Sequence, residues 1–176
     1  MIQPSKEDLK ADGEKYVAKA LILLHSPETR DGVVKMLTGP DPVQRVSNVL
    51  VMVMQRVDSE ARKSNLEVQD VVKAAAARAI VPEIVEIGEA AKLFNLNPDL
   101  ELLAFSVSLQ DYLKAEIKAG RVDSKKLAVT MQADVRSMPP KMRKEVIAAQ
   151  PRIQQIARKY AHGAGMASFQ TSKTGE

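Results

Sequence analysis

The chain of 176 residues contains no cysteine and no tryptophan, and aromatic residues make up only 3% of it. The absence of cysteine excludes disulfides, thiol nucleophiles and zinc–cysteine sites, and it fits a reducing compartment. With three Tyr and three Phe, the core must be built from Val, Leu, Ile, Ala and the eight Met. Because Ala and Met favour helices and adaptable packing, we expect an α-helical protein.

Long uncharged segments are also missing. The uncharged stretch 46–55 lies between Arg45 and Arg56, whereas a helix that spans a membrane needs about 20 apolar residues. Residues 1–7 lack the basic-then-apolar pattern of a signal peptide. We therefore expect a soluble protein without a single-pass span, and insertion of an oligomer into an envelope stays open.

Charge is unevenly distributed along the chain. The formal net charge is +4, but residues 1–113 hold 13 basic and 17 acidic side chains, whereas residues 114–176 hold 13 basic and 5 acidic ones. The two segments therefore carry net charges of −4 and +8. This asymmetry points to a polyanion or an acidic partner near the C-terminal part, and a solvated basic surface is the alternative.

Hydrophobic periodicity predicts an all-α fold of about seven helices. We expect one helical domain over residues 1–162 and a flexible polar tail over 163–176, which is rich in Gly, Ser, Thr and Lys. The predicted helices cover residues 5–25, 27–37, 42–64, 66–95, 98–119, 124–138 and 140–162.

Capping residues mark the predicted helix ends. A capping residue followed by proline predicts helix starts at Ser26, Asp41 and Asn97. Asn65 is the predicted cap of the fourth helix. Glycine is typical of the position after a helix, so helix ends are predicted at Gly39, Gly120 and Gly163.

The third and fourth helices have unusual patterns. The third is apolar almost all round, which predicts a central buried helix, although the alternation of Val49, Val51 and Val53 would also suit a strand. Its start and length favour the helix. In the fourth helix, an apolar stripe continues beyond Pro82, which predicts a long helix kinked there. Its small residues, Ala74 to Ala77 and Gly88, would allow another helix to approach closely.

Few residues suggest catalysis or metal binding. His25 and His162 fall at predicted helix ends, where a positive charge is favourable. Glu83, Glu86 and Glu89 recur every three residues, but no His or Asp on the same stripe completes a metal or acid–base site. We interpret these glutamates as a solvated face and expect no enzyme, no cofactor and no metal.

The last predicted helix contains the most specific pattern. Apolar residues spaced 4-3-4-3-4 form a heptad seam, and we expect an oligomer interface there, at Met142, Val146, Ala149, Ile153, Ile156 and Tyr160. A basic stripe lies about 100° from the seam. We expect it to bind polyanions, or an acidic protein surface, or to face water, through Lys141, Lys144, Arg152 and Lys159.

The chain lacks Cys and Trp, has predicted helices rich in Ala, Val, Met and Gln, such as residues 71–79, and ends in the polar segment 168–176. In this combination of composition and sequence style it resembles the small virion proteins of tailed bacteriophages, in particular the short internal or ejection proteins of podoviruses. The resemblance carries over no functional residue. It implies a non-enzymatic, multimeric protein that is delivered with the genome and whose helices could line a channel in a host envelope.

Two classes of function follow as expectations. The first is a self-associating structural component of a bacteriophage virion, located in the virion, in contact with other virion proteins and with a role in genome ejection. The alternative is a small helical nucleic-acid-binding protein that uses the basic helix to bind DNA without sequence preference. A host cytosolic adaptor ranks third and an enzyme last, for want of any catalytic constellation.

Overall fold

The computed structural model describes residues 6–66, 68–123 and 125, and then residues 144, 148 and 150–161. Every regular element in these ranges is an α-helix, which confirms the all-α class. Residues 150–161 form a helix that we call the basic helix. The helices whose bounds lie within the described ranges before it are α1 (Lys6–His25), α2 (Pro27–Leu37), α3 (Pro42–Lys63), α4 (Asp70–Ala90) and α5 (Pro98–Lys118).

These bounds agree with the first five predicted helices to within a few residues, with the largest difference at α4. The predicted sixth helix, 124–138, lies outside the described residues except for position 125. The predicted tail, 163–176, lies outside them entirely, so it stays a prediction.

Two of the three caps predicted in front of a proline form as expected. The carboxylate of Asp41 accepts a hydrogen bond from the backbone N–H of Gln44 at 2.9 Å. The side chain of Asn97 accepts one from the N–H of Leu100 at 3.0 Å. Each of them satisfies an N–H at the first turn of a helix, where no carbonyl is in reach.

The third cap differs from the prediction. Ser26 occupies the capping position, but its side chain makes no hydrogen bond to a backbone N–H of α2. Its hydroxyl instead donates to the Glu28 carboxylate at 2.6 Å, and this bond lowers the pKa of Glu28.

The sequence predicts Asn65 at the start of α4, but in the structure it follows the C-terminal end of α3. It has a positive φ of 53°, and its N–H donates to the carbonyl of Arg62, while the N–H of Leu66 donates to the carbonyl of Ala61. This pair of bonds closes the C-terminus of a helix around a left-handed residue. Asparagine is common both there and at helix starts, so its type alone misled the prediction.

Helix α4 continues through Pro82, so a single helix across the proline is confirmed. Its Gly88 accommodates an aromatic ring instead of another helix. A Cβ at this position would lie only 2.1 Å from Cζ of Phe94, which follows the helix end. The expected role of Gly88 in close helix approach is therefore taken by a local contact.

The structure contains two compact units, Met1–Tyr112 and Leu113–Glu176. The first is built around α3, which contacts α1, α2 and α4. Val49 and Val53, which had also suited a strand, are fully buried in this helix. The strand alternative is therefore wrong, because a helix that touches three others buries apolar residues around most of its circumference. Whether residues 1–162 fold as one domain stays a prediction.

Candidate functional site

The basic helix presents the predicted basic stripe to solvent. Arg152 and Lys159 are exposed, as is Lys144 one to two turns before the helix, whereas Lys141 lies outside the described residues. Arg158, which the sequence analysis did not include, is exposed as well. From residue 146 to residue 175 the sequence contains no Asp or Glu. The exposed basic side chains of this helix are therefore accompanied by no acidic residue along this stretch of the sequence.

The predicted seam lies on a different side of the same helix. Ile156 is 8% exposed, and Ile153 and Tyr160 are half-buried. Three members of the seam, Met142, Val146 and Ala149, fall outside the residues that the structure describes. The seam therefore divides into a buried position and flanking positions that are still partly accessible, and its role as an oligomer interface stays a prediction.

A groove of about 520 Å³ runs between α1 and α4. The two helices are parallel neighbours, because Gly13 lies opposite Val72 while His25 lies opposite Glu83. Its lining is almost entirely apolar and includes several small residues. It consists of Leu9, Lys10, Gly13, Glu14, Val17, Ala18 and Leu21 from α1 and Val72, Ala75, Ala76 and Ala79 from α4.

Small side chains explain why this groove exists. A Cβ at Gly13 would lie 3.8 Å from Cγ1 of Val72, so α1 and α4 are in ordinary contact along their inner edge. On the outer edge Ala75 and Ala79 are exposed, and their methyl groups leave space that longer side chains would fill. The small residues of α4 thus allow α1 to pack closely against it and also leave the apolar groove open.

Charged residues lie along and beyond this groove. Lys10 and Glu14 are its charged lining residues, and they form an ion pair at 3.8 Å. Glu7 is exposed just before the lining begins at Leu9, and Glu86 is exposed about 10 Å beyond Ala79 along α4. The groove therefore has an apolar floor, one ion pair in its lining and an exposed carboxylate beyond each end.

Two of the three glutamates predicted to form a solvated face, Glu83 and Glu89, take part in contacts near the end of α4. Nε2 of His25 lies 3.4 Å from Oε2 of Glu83 and joins the last turn of α1 to α4, with both side chains more than one-third exposed. Glu89 accepts a hydrogen bond from the N–H of Leu96 at 3.1 Å. His162 lies outside the described residues. These glutamates therefore act in local ion pairing and in the helix end.

A buried polar cluster, which sequence reasoning missed, links four helices of the first unit. Asp58 of α3 is 2% exposed. Its carboxylate accepts hydrogen bonds from the hydroxyl of Tyr16 (α1) at 3.0 Å and from that of Tyr112 (α5). Nζ of Lys73 (α4) lies 3.5 Å from the same carboxylate and 5.9 Å from the Tyr112 ring centre. The position of Asp58, four residues after buried Met54, was the available signal.

The arrangement of this cluster indicates a structural role. Both hydroxyls donate to the carboxylate, and that of Tyr16 also donates to the carbonyl of Met54 at 3.2 Å. A hollow of about 110 Å³ nearby is lined by Tyr16, but Asp58, Lys73 and Tyr112 are absent from its lining. The donors and acceptors of the cluster thus face one another, which is how a buried charge is stabilised.

The described ranges contain neither a metal-binding group nor a membrane-spanning helix. No group of three or more His, Asp or Glu side chains could hold a metal ion there. Within the same ranges, no helix combines the length and hydropathy that crossing a membrane requires.

Among the residues that the structure describes, the basic helix and the apolar groove between α1 and α4 are surfaces with a distinct chemistry, and both suit binding. Comparison of the chain with protein-family models, with curated proteins and with solved structures gives no match.

Proposed function

We propose that the protein is a non-enzymatic structural component that assembles with copies of itself through helix–helix contacts. The observation that carries this proposal is the apolar groove between α1 and α4, which lies open on the first unit. Ile22, one turn beyond Ala18 on α1, is 67% exposed and extends the apolar surface. Contiguous exposed apolar surface bordered by polar residues is typical of sites where proteins associate.

The more specific proposal is an internal or ejection-type component of a bacteriophage virion. Its support is the resemblance of composition and style described above, together with the helical fold and the accessible apolar surface. Mass spectrometry of purified particles tests it directly. We expect peptides of this chain in intact virions at a defined copy number, and their absence from particles would contradict the virion proposal while leaving self-assembly open.

Self-assembly is tested by size-exclusion chromatography with light scattering on the full chain. We expect one defined oligomer whose mass is a whole multiple of the subunit mass, because homo-oligomers usually close with symmetry. A protein that stays monomeric at high concentration, with no partner present, would overturn the proposal.

The predicted seam offers a sharper version of this experiment. Ile156→Asp should unfold part of the chain, because a charge would replace a side chain that is 8% exposed. Ile153→Asp replaces a half-buried side chain, so we expect a folded protein whose oligomer dissociates. If Ile153→Asp keeps the full oligomer mass, the seam is not part of the interface.

A second candidate function is sequence-independent binding of a polyanion such as DNA. The exposure of Lys144, Arg152 and Lys159 favours it, and residues 146–175 contain no Asp or Glu. Reversal of these residues and Lys141 to Glu should abolish retention on heparin and reduce the salt dependence of DNA binding.

The matched control reverses four exposed basic residues of the first unit instead: Arg30, Lys35, Arg62 and Lys63. This control should keep most of its retention, because its basic helix is intact. Equal retention of both reversed proteins would show that the stripe is only a solvated surface.

A further inference from the structure

We infer that the α1–α4 groove of one copy binds the basic helix of a second copy. This inference rests on the proposed self-assembly and names the two surfaces that would meet. The sequence left open whether the basic stripe faces a polyanion or an acidic protein surface. The first unit of the same chain contains a surface with an apolar floor and an exposed carboxylate beyond each end, Glu7 and Glu86.

The groove is long enough to hold about three turns of a helix. It is lined along α1 from Leu9 to Leu21, which corresponds to about 18 Å at roughly 1.5 Å per residue. The described stretch of the basic helix, residues 150–161, can therefore lie along it. A single amphipathic helix in an apolar groove is a recurrent form of recognition. The alanines at positions 75 and 79 would let its backbone approach α4 closely.

Charge complementarity selects this helix as the occupant. Glu7 and Glu86 lie beyond the two ends of the groove, and the lining ion pair of Lys10 and Glu14 adds no net charge. The basic helix carries Arg152, Arg158 and Lys159, all exposed. The same complementarity holds at long range, since the N-terminal part has a net charge of −4 and the part from residue 114 onward one of +8. Opposite charge on the two surfaces speeds encounter and suppresses wrong pairings.

The basic helix also has an apolar side that can enter the groove. Ile153, Ala157 and Tyr160 are half-buried and lie within about 60° of one another around the helix. Ile156 is covered within its own copy, so it would hold the helix in place while its neighbours remain accessible. Arg152 and Lys159 lie about 100° from this side, where they can point toward a carboxylate beyond an end of the groove.

This pairing joins two different surfaces, so it is a head-to-tail contact. Such contacts extend from copy to copy and give a closed ring when the rotation between subunits closes, or a filament when it does not. A head-to-tail contact has a distinctive experimental signature, because each of its halves can be blocked on a separate protein.

The test uses two full-length variants. Ala75→Arg with Ala79→Arg fills the groove with long positive side chains at exposed helix positions and leaves the basic helix intact. Arg152→Glu with Arg158→Glu and Lys159→Glu reverses the helix charge and leaves the groove intact. Each variant alone should run at the mass of a single subunit. Their equimolar mixture should form a heterodimer of twice the subunit mass, since only one productive contact can form.

Controls with matched charge changes elsewhere should keep the wild-type mass. For the groove we use Thr38→Arg with Gln110→Arg, at exposed positions outside its lining. For the helix we use reversal of Arg30, Lys35 and Arg62 to Glu. Circular dichroism of every variant checks that the helices are retained.

Each outcome decides a separate question. A wild-type monomer would overturn both the proposed function and this inference. A wild-type oligomer that both variants preserve would overturn the inference and leave the proposed function standing. Two monomeric variants that fail to form a heterodimer would overturn the head-to-tail pairing. Preserved assembly with loss of heparin retention in the helix variant would assign the basic helix to a polyanion and overturn its place in the groove.

Discussion

Each of the two compact units buries a carboxylate, and the two carboxylates are satisfied in different ways. Asp58 in the first unit is bonded by Tyr16 and Tyr112, which are 42 and 54 residues away in sequence. Glu116 in the second unit is 2% exposed and is bonded by Arg121, only five residues on, at 2.8 and 2.7 Å. One carboxylate depends on the tertiary fold, whereas the other has a partner that is close along the chain.

This difference indicates how each unit is specified. The partners of Asp58 meet only when α1, α4 and α5 dock on α3 in one register, so the cluster favours that arrangement over other packings of apolar helices. The Glu116–Arg121 pair forms at the end of α5, where the N–H of Arg121 also donates to the carbonyl of Glu116 at 2.9 Å. It joins the end of a helix to a residue five positions away.

The largest effect is expected at Asp58. Asp58→Ala leaves Lys73, whose side chain is 15% exposed, next to two hydroxyls that lose their acceptor. Removing one member of a buried ion pair costs about 3 kcal/mol or more in the free energy of unfolding, which urea denaturation measures. Asp31→Ala, at an exposed position of α2, is the control and should change stability by less than about 0.5 kcal/mol. Similar values for both variants would contradict a structural role of the cluster.

Removing the tyrosine hydroxyls that donate to Asp58 should lower the free energy of unfolding by an intermediate amount. Tyr16→Phe and Tyr112→Phe each remove one hydrogen bond to a buried carboxylate, at a cost of about 1.5 kcal/mol. The double variant should lose more than the sum of the two, because Asp58 would then lack both hydroxyl donors. A double-mutant cycle measures this coupling, and strict additivity would show that the two tyrosines act independently.

For Glu116→Ala the expected loss in the free energy of unfolding is smaller. Its partner Arg121 has a side chain that is 39% exposed, so water screens the pair and hydrates Arg121 after Glu116→Ala. Allowing for this screening, we expect a loss of about 1 kcal/mol. If Glu116→Ala destabilised the chain as much as Asp58→Ala does, the distance of the partner along the sequence would not determine how much a buried carboxylate contributes to stability.

Local patterns explain why the helices could be predicted from sequence. Asp41 and Asn97 precede prolines and cap their helices as expected, and Gly120 follows the end of α5 at a φ of 69°. These signals need only neighbouring residues. Asn65 shows their limit, since the same side chain suits a helix start and a left-handed helix end, and the choice depends on the residues that follow.

The candidate surfaces were predictable only in part. The basic stripe follows from helical periodicity, so Arg152 and Lys159 could be placed from spacing alone. The groove could not, because its floor combines Gly13 and Ala79 from segments more than 60 residues apart. The Asp58 cluster was missed for the same reason, since no local pattern brings Tyr112 to α3. The ring of Phe94 over Gly88 likewise depends on the turn after α4.

The smallest effects should come from the helix ends, where the two units differ again. Leu93 and Arg121 donate to the carbonyls of Gly88 and Glu116 and close α4 and α5 in the same way. The left-handed residue is Lys92 in the first unit, at a φ of 57°, and Gly120 in the second.

A side chain in this conformation costs about 1 kcal/mol, which glycine avoids but offsets partly through its greater freedom when unfolded. Lys92→Gly should therefore raise the free energy of unfolding by about 0.5 kcal/mol, and Gly120→Ala should lower it by a similar amount. Gly32→Ala is the matched control, since no atom lies within 4 Å of the added Cβ and the backbone is helical. It should stabilise the chain by about 0.5 kcal/mol. Opposite signs for alanine at positions 32 and 120 would show that backbone conformation, and not side-chain contact, determines these effects. The same sign at both would contradict the left-handed helix end.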